Sequence, residues 1–347
     1  MPLFRRKQAA TAADPRPAIA GFWAWWEGAR ADVAAALADG EPQRAAPGIA
    51  AAVRAVGELD WELAAGTEGA RHGLVVSAGG KPELRALAQR WWLAAPPADE
   101  TFEYHPARQR DTADSGRTLV VDDFELPTIE FVAGTRYDEQ RGRLDLAVHH
   151  PLFPLLGDES RLRATFLALD SALGEDDVER FVGSVHVAVD QPVDAVPLSS
   201  LGPLVDGLRP AGGAAWALFQ GSTRKGPVVG TIRRPFSRVD RPLADTHVAV
   251  ELRYASVDQG MPAVPDFAEQ VARWEQQAVA ALGGDGEHVG LAGHETGLGR
   301  CLGHLYVDGL TVDPAALDPV LAGWPHGPAR THVTHDPAWR AIGHLLA

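Results

Sequence analysis

Strict alternation of apolar and polar residues in two segments is the feature that most restricts the fold of this chain. The segments are Arg143–His149 and Thr246–Tyr254. Successive side chains of a β-strand point to opposite faces of the sheet, so both segments predict strands with one covered face and one face in water. This pattern is typical of antiparallel sheets, because buried parallel strands read as continuous apolar runs. The sequence therefore predicts an α+β protein.

Several helices predicted between the strands begin at recognisable capping residues. Asp266 and Glu269 have the spacing of a capping box, and apolar residues recur behind them at helical intervals. Asp313 and Asp336 are each followed by proline, a pair typical of the N-cap and first position of a helix. We expect these helices to cover one face of each antiparallel sheet.

A chain of 347 residues predicts two domains, because one hydrophobic core rarely serves such a length. We expect a disordered tail at residues 1–16, an N-terminal α+β domain at 17–192, a linker rich in proline and glycine at 193–213, and a C-terminal domain at 214–347. Within 246–335 the predicted elements are strand, helix, strand, strand, helix, strand. This order predicts a ferredoxin-like C-terminal domain.

Charge and cysteine content restrict the class of protein. The chain has 46 Asp and Glu residues against 32 Lys and Arg, a net charge of −14, which argues against a nucleic-acid partner. An acidic face that meets a basic protein is the alternative to a merely solvated surface. No apolar run reaches the ~18 residues of a membrane span, so no membrane partner is expected. The single Cys301 and the lack of an apolar stretch after basic residues 5–7 predict a cytoplasmic protein.

Cofactor and metal motifs are weak in this sequence. The glycines Gly297, Gly299 and Gly303 resemble a dinucleotide fingerprint, but a strand follows them where the fingerprint needs a helix. They predict instead a hairpin turn with a closely packed Gly303. His332 and His335 would face opposite sides of a strand, and three or four converging ligands are needed for zinc. We expect no cofactor and no metal.

The C-terminal portion, about 214–347, resembles the bacterial domain of unknown function 695 family. The resemblance is carried by the strand Thr246–Tyr254, the tryptophan-bearing helix after it, and the hairpin with Gly299, Arg300 and Tyr306. The closing HDPAWRAIGHLL, His335–Leu346, is similar to the Asp-Pro-x-Trp ending of that family. This resemblance implies a fold and brings no defined activity with it.

The first half resembles the N-terminal region that often precedes this domain. The carriers are Phe22–Trp26 and the stretch Leu169–Val187. The C-terminal domain is also similar in topology and acidity to the ribonuclease E regulator B family, small acidic α+β proteins that act by binding an enzyme. This second likeness is one of fold alone.

Tryptophans are the candidate protein-contact residues. Trp25 lies about 100° around a helix from Trp26, so it can be exposed when Trp26 is buried, and Trp92 stands in the same relation to Trp91. Exposed tryptophans are typical of binding surfaces. For Trp25, packing against the second helix is the alternative.

These observations favour a non-enzymatic regulatory or protein-interaction module. The competing hypothesis is a hydrolase or other enzyme, with its site in the C-terminal domain or in a cleft between domains. The candidate functional residues for that alternative are Arg300, His304, Tyr306, His335 and Trp339, which the C-terminal motifs bring together in sequence order.

Overall fold

The computed structural model describes residues 14–111, 117–139, 141–209, 215–255 and 258–346. Most of the predicted tail, residues 1–13, lies outside the described residues. No helix in the described part of the chain is both long and apolar enough to cross a membrane.

The helices and strands follow one another in mixed order along the chain. The α-helices are α1 (Arg16–Ala38), α2 (Ala46–Val56), α3 (Arg85–Leu93), α4 (Asp158–Leu173), α5 (Glu175–Phe181), α6 (Leu201–Leu208), α7 (Phe267–Ala281), α8 (Asp318–Ala322) and α9 (Gly343–Leu346). The strands are β1 (Asp60–Ala65), β2 (His72–Ser77), β3 (Phe102–His105), β4 (Thr118–Val121), β5 (Phe124–Pro127), β6 (Val132–Asp138), β7 (Arg143–His149), β8 (Val182–Val187), β9 (Val196–Pro197), β10 (Ala215–Thr223), β11 (Gly226–Arg234), β12 (Thr246–Arg253), β13 (Val289–Gly297), β14 (Arg300–Val307) and β15 (Ala329–His335). The predicted α+β class is confirmed.

The chain divides into two compact units. The N-terminal unit contains Ala18–Lys81 and Trp91–Ala211, and the C-terminal unit contains Pro82–Arg90 and the chain from Gly212 onward. The short segment Pro82–Arg90 therefore belongs to the C-terminal unit, although it lies early in the sequence.

The described residues of the N-terminal unit form three small sheets, with strand orders β1-β2-β3, β4-β5 and β8-β7-β6-β9. Most pairs are antiparallel, but β2–β3 and β7–β8 are parallel. A helical connection lies between the two strands of each parallel pair, as parallel pairing requires. The alternation in Arg143–His149 is confirmed, because Leu144, Leu146 and Val148 are all buried in the core.

The predicted linker differs from what the structure contains. Residues 193–213 include β9 and α6, and Leu198, Leu201 and Val205 are buried in the core of the N-terminal unit. These three residues recur at intervals of three and four, so they form one helical stripe. The proline and glycine residues around this stripe led to the prediction of a linker instead. The N-terminal unit therefore extends at least to Leu208.

The C-terminal unit is built on one six-stranded antiparallel sheet of order β10-β11-β13-β14-β12-β15. One face packs its apolar residues against α7, which buries Val271 and Trp274. The predicted hairpin at Gly297–Gly303 is confirmed, and a Cβ on Gly303 would lie 2.6 Å from the Trp274 ring. The element order predicted for 246–335 is present, while the finer ferredoxin-like description stays a prediction.

The opposite face of this sheet carries a second, smaller cluster of buried residues. Its core includes Ile232, Phe236, Tyr306, Trp339 and Ile342, because the chain after Asp336 folds back over the sheet. The helix predicted to begin at Asp336 is interrupted by Trp339, whose φ of 54° is left-handed. Helical turns begin only after it, at Arg340. The alternation of the strands did not predict that the chain after Asp336 packs on this face, because a face rich in histidine reads as a polar face in contact with water.

Candidate functional site

Three of the five sequence-predicted site residues meet on the covered histidine-rich face of the C-terminal sheet. His304 and Tyr306 lie on β14, and Trp339 stacks on Tyr306 with ring centroids 4.5 Å apart. His247 of β12 joins them from the neighbouring strand, 5.0 Å from the Tyr306 ring and 5.3 Å from that of His304. We call these four residues, with Phe236 stacked on Trp339 at 4.7 Å, the ring column.

The histidines of the ring column connect to a carboxylate near its end. His247 Nε2 and His304 Nδ1 are 3.1 Å apart, so one imidazole donates to the other. His304 Nε2 lies 3.9 Å from Glu295 Oε2, which is longer than a hydrogen bond. Glu295 Oε1 contacts His344 Nε2 at 2.7 Å, and the His344 side chain is largely exposed. Polar groups therefore run from the surface to the buried His247.

Burial and neighbouring charge shift the protonation of these groups in opposite directions. Desolvation, reinforced by His304, lowers the pKa of His247 to about 4, so this imidazole is neutral at pH 7. The imidazoles of His304 and His344 lower the pKa of Glu295 to about 2 against the effect of its burial. The cluster at neutral pH therefore holds a charged carboxylate and a neutral His247.

Asp336 fixes the other end of the ring column. Its carboxylate accepts a hydrogen bond of 2.6 Å from the Tyr306 hydroxyl and bonds of 3.0 and 2.9 Å from the backbone N–H groups of Arg340 and Ala341. These donors lower the pKa of Asp336 although its burial acts in the opposite direction. Burial and the bond to Asp336 raise the pKa of Tyr306 well above its usual range. A neutral phenol thus donates to an ionised carboxylate.

Arg300 and His335 lie away from this cluster. Arg300 pairs with Glu251 at 3.1 Å and is partly exposed. It precedes His304 by four residues on β14, a distance of about 13 Å along a strand. His335 is exposed on β15 and pairs in register with Thr246. Sequence order alone therefore did not show which of the five residues converge.

The predicted contact tryptophans have different surroundings. Trp25 is half-buried against α2, where a Cβ on Gly48 would lie 3.3 Å from its ring, so the alternative of packing against the second helix is favoured. Trp92 is 39% exposed at the end of α3. Its neighbour Trp91 is fully buried.

Three other histidines of the C-terminal unit contact side chains of the protein. His294 contacts Glu275 at 2.7 Å, His288 contacts Asp308 at 3.2 Å, and His326 bonds Gln270. Among the residues that the structure describes, no group of three His, Cys, Asp or Glu side chains is placed to hold a metal ion.

The two edges of the C-terminal sheet differ in their protection. The edge strand β15 exposes Arg330, His332 and His335 to solvent. The other edge strand, β10, has no charged residue in its nine positions, AWALFQGST. On β10, Trp216 is 51% exposed and Leu218 is 87% exposed, two residues apart and therefore on one face.

A cleft of about 450 Å³ with mixed polar and apolar lining opens in the N-terminal unit. Its lining residues are Glu62, Leu63, Ala64, Ala65, Gly66, Thr67, Val75, His105, Gln109, Arg110, Asp111 and Arg117. Within this lining, His105 contacts the buried carboxylate of Glu103 at 3.0 Å. Sequence reasoning missed this pair, since alternate residues of one short strand carry no motif.

Comparison with known proteins adds no relative to these observations: no protein-family model, no curated protein and no solved structure matches the chain. The resemblance to the domain of unknown function 695 family stays a prediction. The structure does give the residues that carry it a physical role, because Asp336 caps the final helical turns and Trp339 is buried over Tyr306.

Proposed function

We propose that this protein is a non-enzymatic protein-interaction module and that β10 is its contact strand. The observation that supports this most directly is the uncharged, apolar edge formed by Trp216 and Leu218. Folded proteins usually protect sheet edges with charges, prolines or bulges, because an unprotected edge pairs with other chains. The opposite edge of this sheet has such protection in Arg330, which β10 lacks.

The proposed occupant is an extended segment of a partner protein that adds a strand to the sheet. In this mode of recognition the backbone supplies hydrogen bonds and alternate side chains supply specificity. Leu218 is in register with Thr231, and Thr231 is in register with His294, which contacts Glu275 of α7. Residues in register on neighbouring strands lie on the same face of a sheet, so Trp216 and Leu218 lie on the face that α7 covers at the more central strands. The partner's apolar side chains would pack on this uncovered part of that face.

Charge gives the partner segment a direction. The turn between β10 and β11 contains Arg224 and Lys225, both exposed, and β10 itself is neutral. A partner segment with acidic residues near this turn and apolar residues at alternate positions complements the surface. The net charge of −14 is a sum over the whole chain, and it does not argue against an acidic partner at this basic turn.

The enzyme alternative receives less support. His304 and Tyr306 are buried beneath the chain that follows Asp336, to which Trp339 belongs, so a substrate reaches them only if that segment moves away. Their hydrogen bonds hold the cover in place. This favours a structural role for the ring column.

Membership in the domain of unknown function 695 family and a cytoplasmic location are parts of the same proposal. The first is supported by the motif residues named above. The second is supported by cysteine usage, because a chain whose one cysteine is Cys301 has no intrachain disulfide, as is typical of proteins in a reducing compartment.

The test is affinity capture from the native cell extract with three forms of the protein. The wild-type chain is compared with the double variant Trp216→Ser, Leu218→Thr and with Val333→Thr, an exposed apolar residue on the other edge. Both variants change only exposed side chains, and threonine retains strand propensity, so both are expected to fold. A captured protein is then identified, purified and titrated against all three forms.

We expect the purified partner to bind wild type and Val333→Thr equally and to lose about tenfold or more in affinity for the double variant, as loss of a tryptophan contact implies. Equal binding to all three forms would overturn the assignment to β10. If the wild-type chain forms a concentration-dependent dimer and the double variant does not, the partner of β10 is a second copy of this chain and not another protein.

A further inference from the structure

The cleft of the N-terminal unit has a floor formed by one face of the β1-β2-β3 sheet. Glu62, Val75 and His105 lie side by side across the three strands, since Glu62 is in register with Val75 and Val75 with His105. Apolar residues of the same strands, such as Leu74 and Tyr104, point to the opposite, buried face. The floor of the cleft thus has two polar side chains, Glu62 and His105, on either side of the apolar Val75. A concave space with a few polar groups among apolar ones is the usual arrangement of a small-molecule site.

Glu103 holds the imidazole in this floor in a defined state. Its carboxylate is buried and accepts hydrogen bonds from the backbone N–H groups of Thr67, Glu68 and Ala70. The bonds from Thr67, His105 and Glu68 lower its pKa to about 2 although its burial acts in the opposite direction. A permanently charged carboxylate 3.0 Å from His105 Nε2 keeps the proton on that nitrogen. His105 therefore offers Nδ1 as an acceptor when neutral and as a donor when charged.

Arg117 supplies the cationic group of the cleft. Its side chain is 44% exposed, and its nitrogens lie 3.7 Å from both Glu62 and Asp111, beyond hydrogen-bond range. Both carboxylates have closer partners, because Glu62 pairs with Arg108 at 3.3 Å and Asp111 accepts from the Ser171 hydroxyl. Among the described residues, the guanidinium of Arg117 thus has two carboxylates at ion-pair distance and no acceptor at hydrogen-bond distance.

The second arginine of the lining differs from Arg117. Arg110 bonds Asp177 and Asp206 at 3.0 Å each, so both of its terminal nitrogens already have carboxylate partners. It forms part of the wall and is not expected to leave its partners for a ligand. Of the two arginines, Arg117 is therefore the one whose N–H groups are available to hydrogen-bond a ligand.

We propose that this cleft binds a small molecule bearing an oxyanion, a carboxylate or a phosphate, through Arg117 and His105. A guanidinium with unused donors recognises planar or tetrahedral oxyanions through paired hydrogen bonds. The volume of about 450 Å³ lies in the range of small-ligand sites. The site lies in the N-terminal unit and is independent of the contact proposed for β10.

The experiment titrates the full chain with inorganic phosphate and, separately, with succinate, at pH 7.5 and constant ionic strength. Binding is followed by backbone amide chemical shifts. The variants are Arg117→Gln and His105→Gln, and the control is Arg163→Gln, which removes an exposed arginine from α4. The two probes distinguish a phosphate ligand from a carboxylate ligand.

We expect one probe to saturate, with shifts at Ala64–Thr67 and Gln109, and its affinity to fall about tenfold in Arg117→Gln but not in Arg163→Gln. Protection of Arg117 from phenylglyoxal by the same probe, read by mass spectrometry on wild-type protein, tests the contact without relying on a variant's fold. The proposal fails if neither probe saturates, if Arg117→Gln binds like wild type, or if Arg163→Gln weakens binding equally.

Discussion

The hydroxyl of Tyr306 donates a 2.6 Å hydrogen bond to the carboxylate of Asp336, thirty residues further along the chain. Asp336 in turn accepts the backbone N–H groups that begin the final helical turns. One carboxylate thus connects a buried strand residue to the segment that covers it. The Asp-Pro-x-Trp ending has a structural explanation in this contact.

Tyr306→Phe is expected to destabilise the C-terminal unit by about 1–3 kcal/mol, because the buried Asp336 loses a donor to its charge. Urea unfolding measures the change. Tyr137→Phe, at a half-exposed tyrosine of the N-terminal unit, is the control and should alter stability little. Equal stability of Tyr306→Phe and wild type would contradict the role assigned to this bond.

Acid should destabilise the fold through His247. Its pKa is about 4 in the folded protein and about 6.5 when unfolded, so the unfolded chain binds more protons between these values. Stability is therefore full above pH 6.5 and falls as the pH drops toward 4, by roughly 3 kcal/mol at most for this group.

The measurement is the free energy of unfolding of wild type and His247→Gln between pH 4 and pH 8. The variant should have a shallower dependence over the window from 6.5 to 4. Parallel curves for the two proteins would show that His247 keeps its usual pKa in the folded state.

Gly303→Ala should destabilise the C-terminal unit by about 1–3 kcal/mol through overpacking. A Cβ at this position would lie 2.6 Å from Trp274, whose ring is buried and cannot easily move. Gly343→Ala, where a Cβ would meet nothing within 4 Å at the start of α9, is the matched control. Thermal or urea unfolding distinguishes them, and a loss in Gly343→Ala as large as that in Gly303→Ala would refute the packing argument.

Arg90→Leu should cost about 3–5 kcal/mol, because it leaves two carboxylates buried without their cation. Arg90 lies 2.8 Å from Asp245 and 2.6 Å from Asp308, and all three side chains are largely buried. Urea unfolding at low and high salt measures the loss, which should depend little on salt since buried pairs are weakly screened. Arg253→Leu removes a half-exposed arginine that shares Glu251 with Arg300, and it is expected to cost under 1 kcal/mol.

The sequence predicted features that depend on neighbouring residues and missed contacts between residues far apart in the chain. Alternation located β7 and β12, and the spacing of Gly297, Gly299 and Gly303 predicted a hairpin, because these signals depend on neighbouring residues. The pairing of Arg90 with Asp308 joins residues 218 positions apart, and no local pattern records it. His247 was missed for the same reason, since only the register of β12 on β14 places it beside His304.

The segment 193–213 illustrates the limit of composition. Proline and glycine predicted a linker, whereas Leu198, Leu201 and Val205 place it in the core. Apolar periodicity decides burial more directly than the content of breaker residues.

The measurement that tests the central claim most directly is hydrogen–deuterium exchange of the chain alone and with its captured, purified partner. Strand addition at β10 predicts slowed exchange of backbone amides within Ala215–Thr223 on binding, with no change in Ala329–His335 on the other edge. Protection confined to any other surface, with β10 exchanging at the same rate in both states, would contradict it.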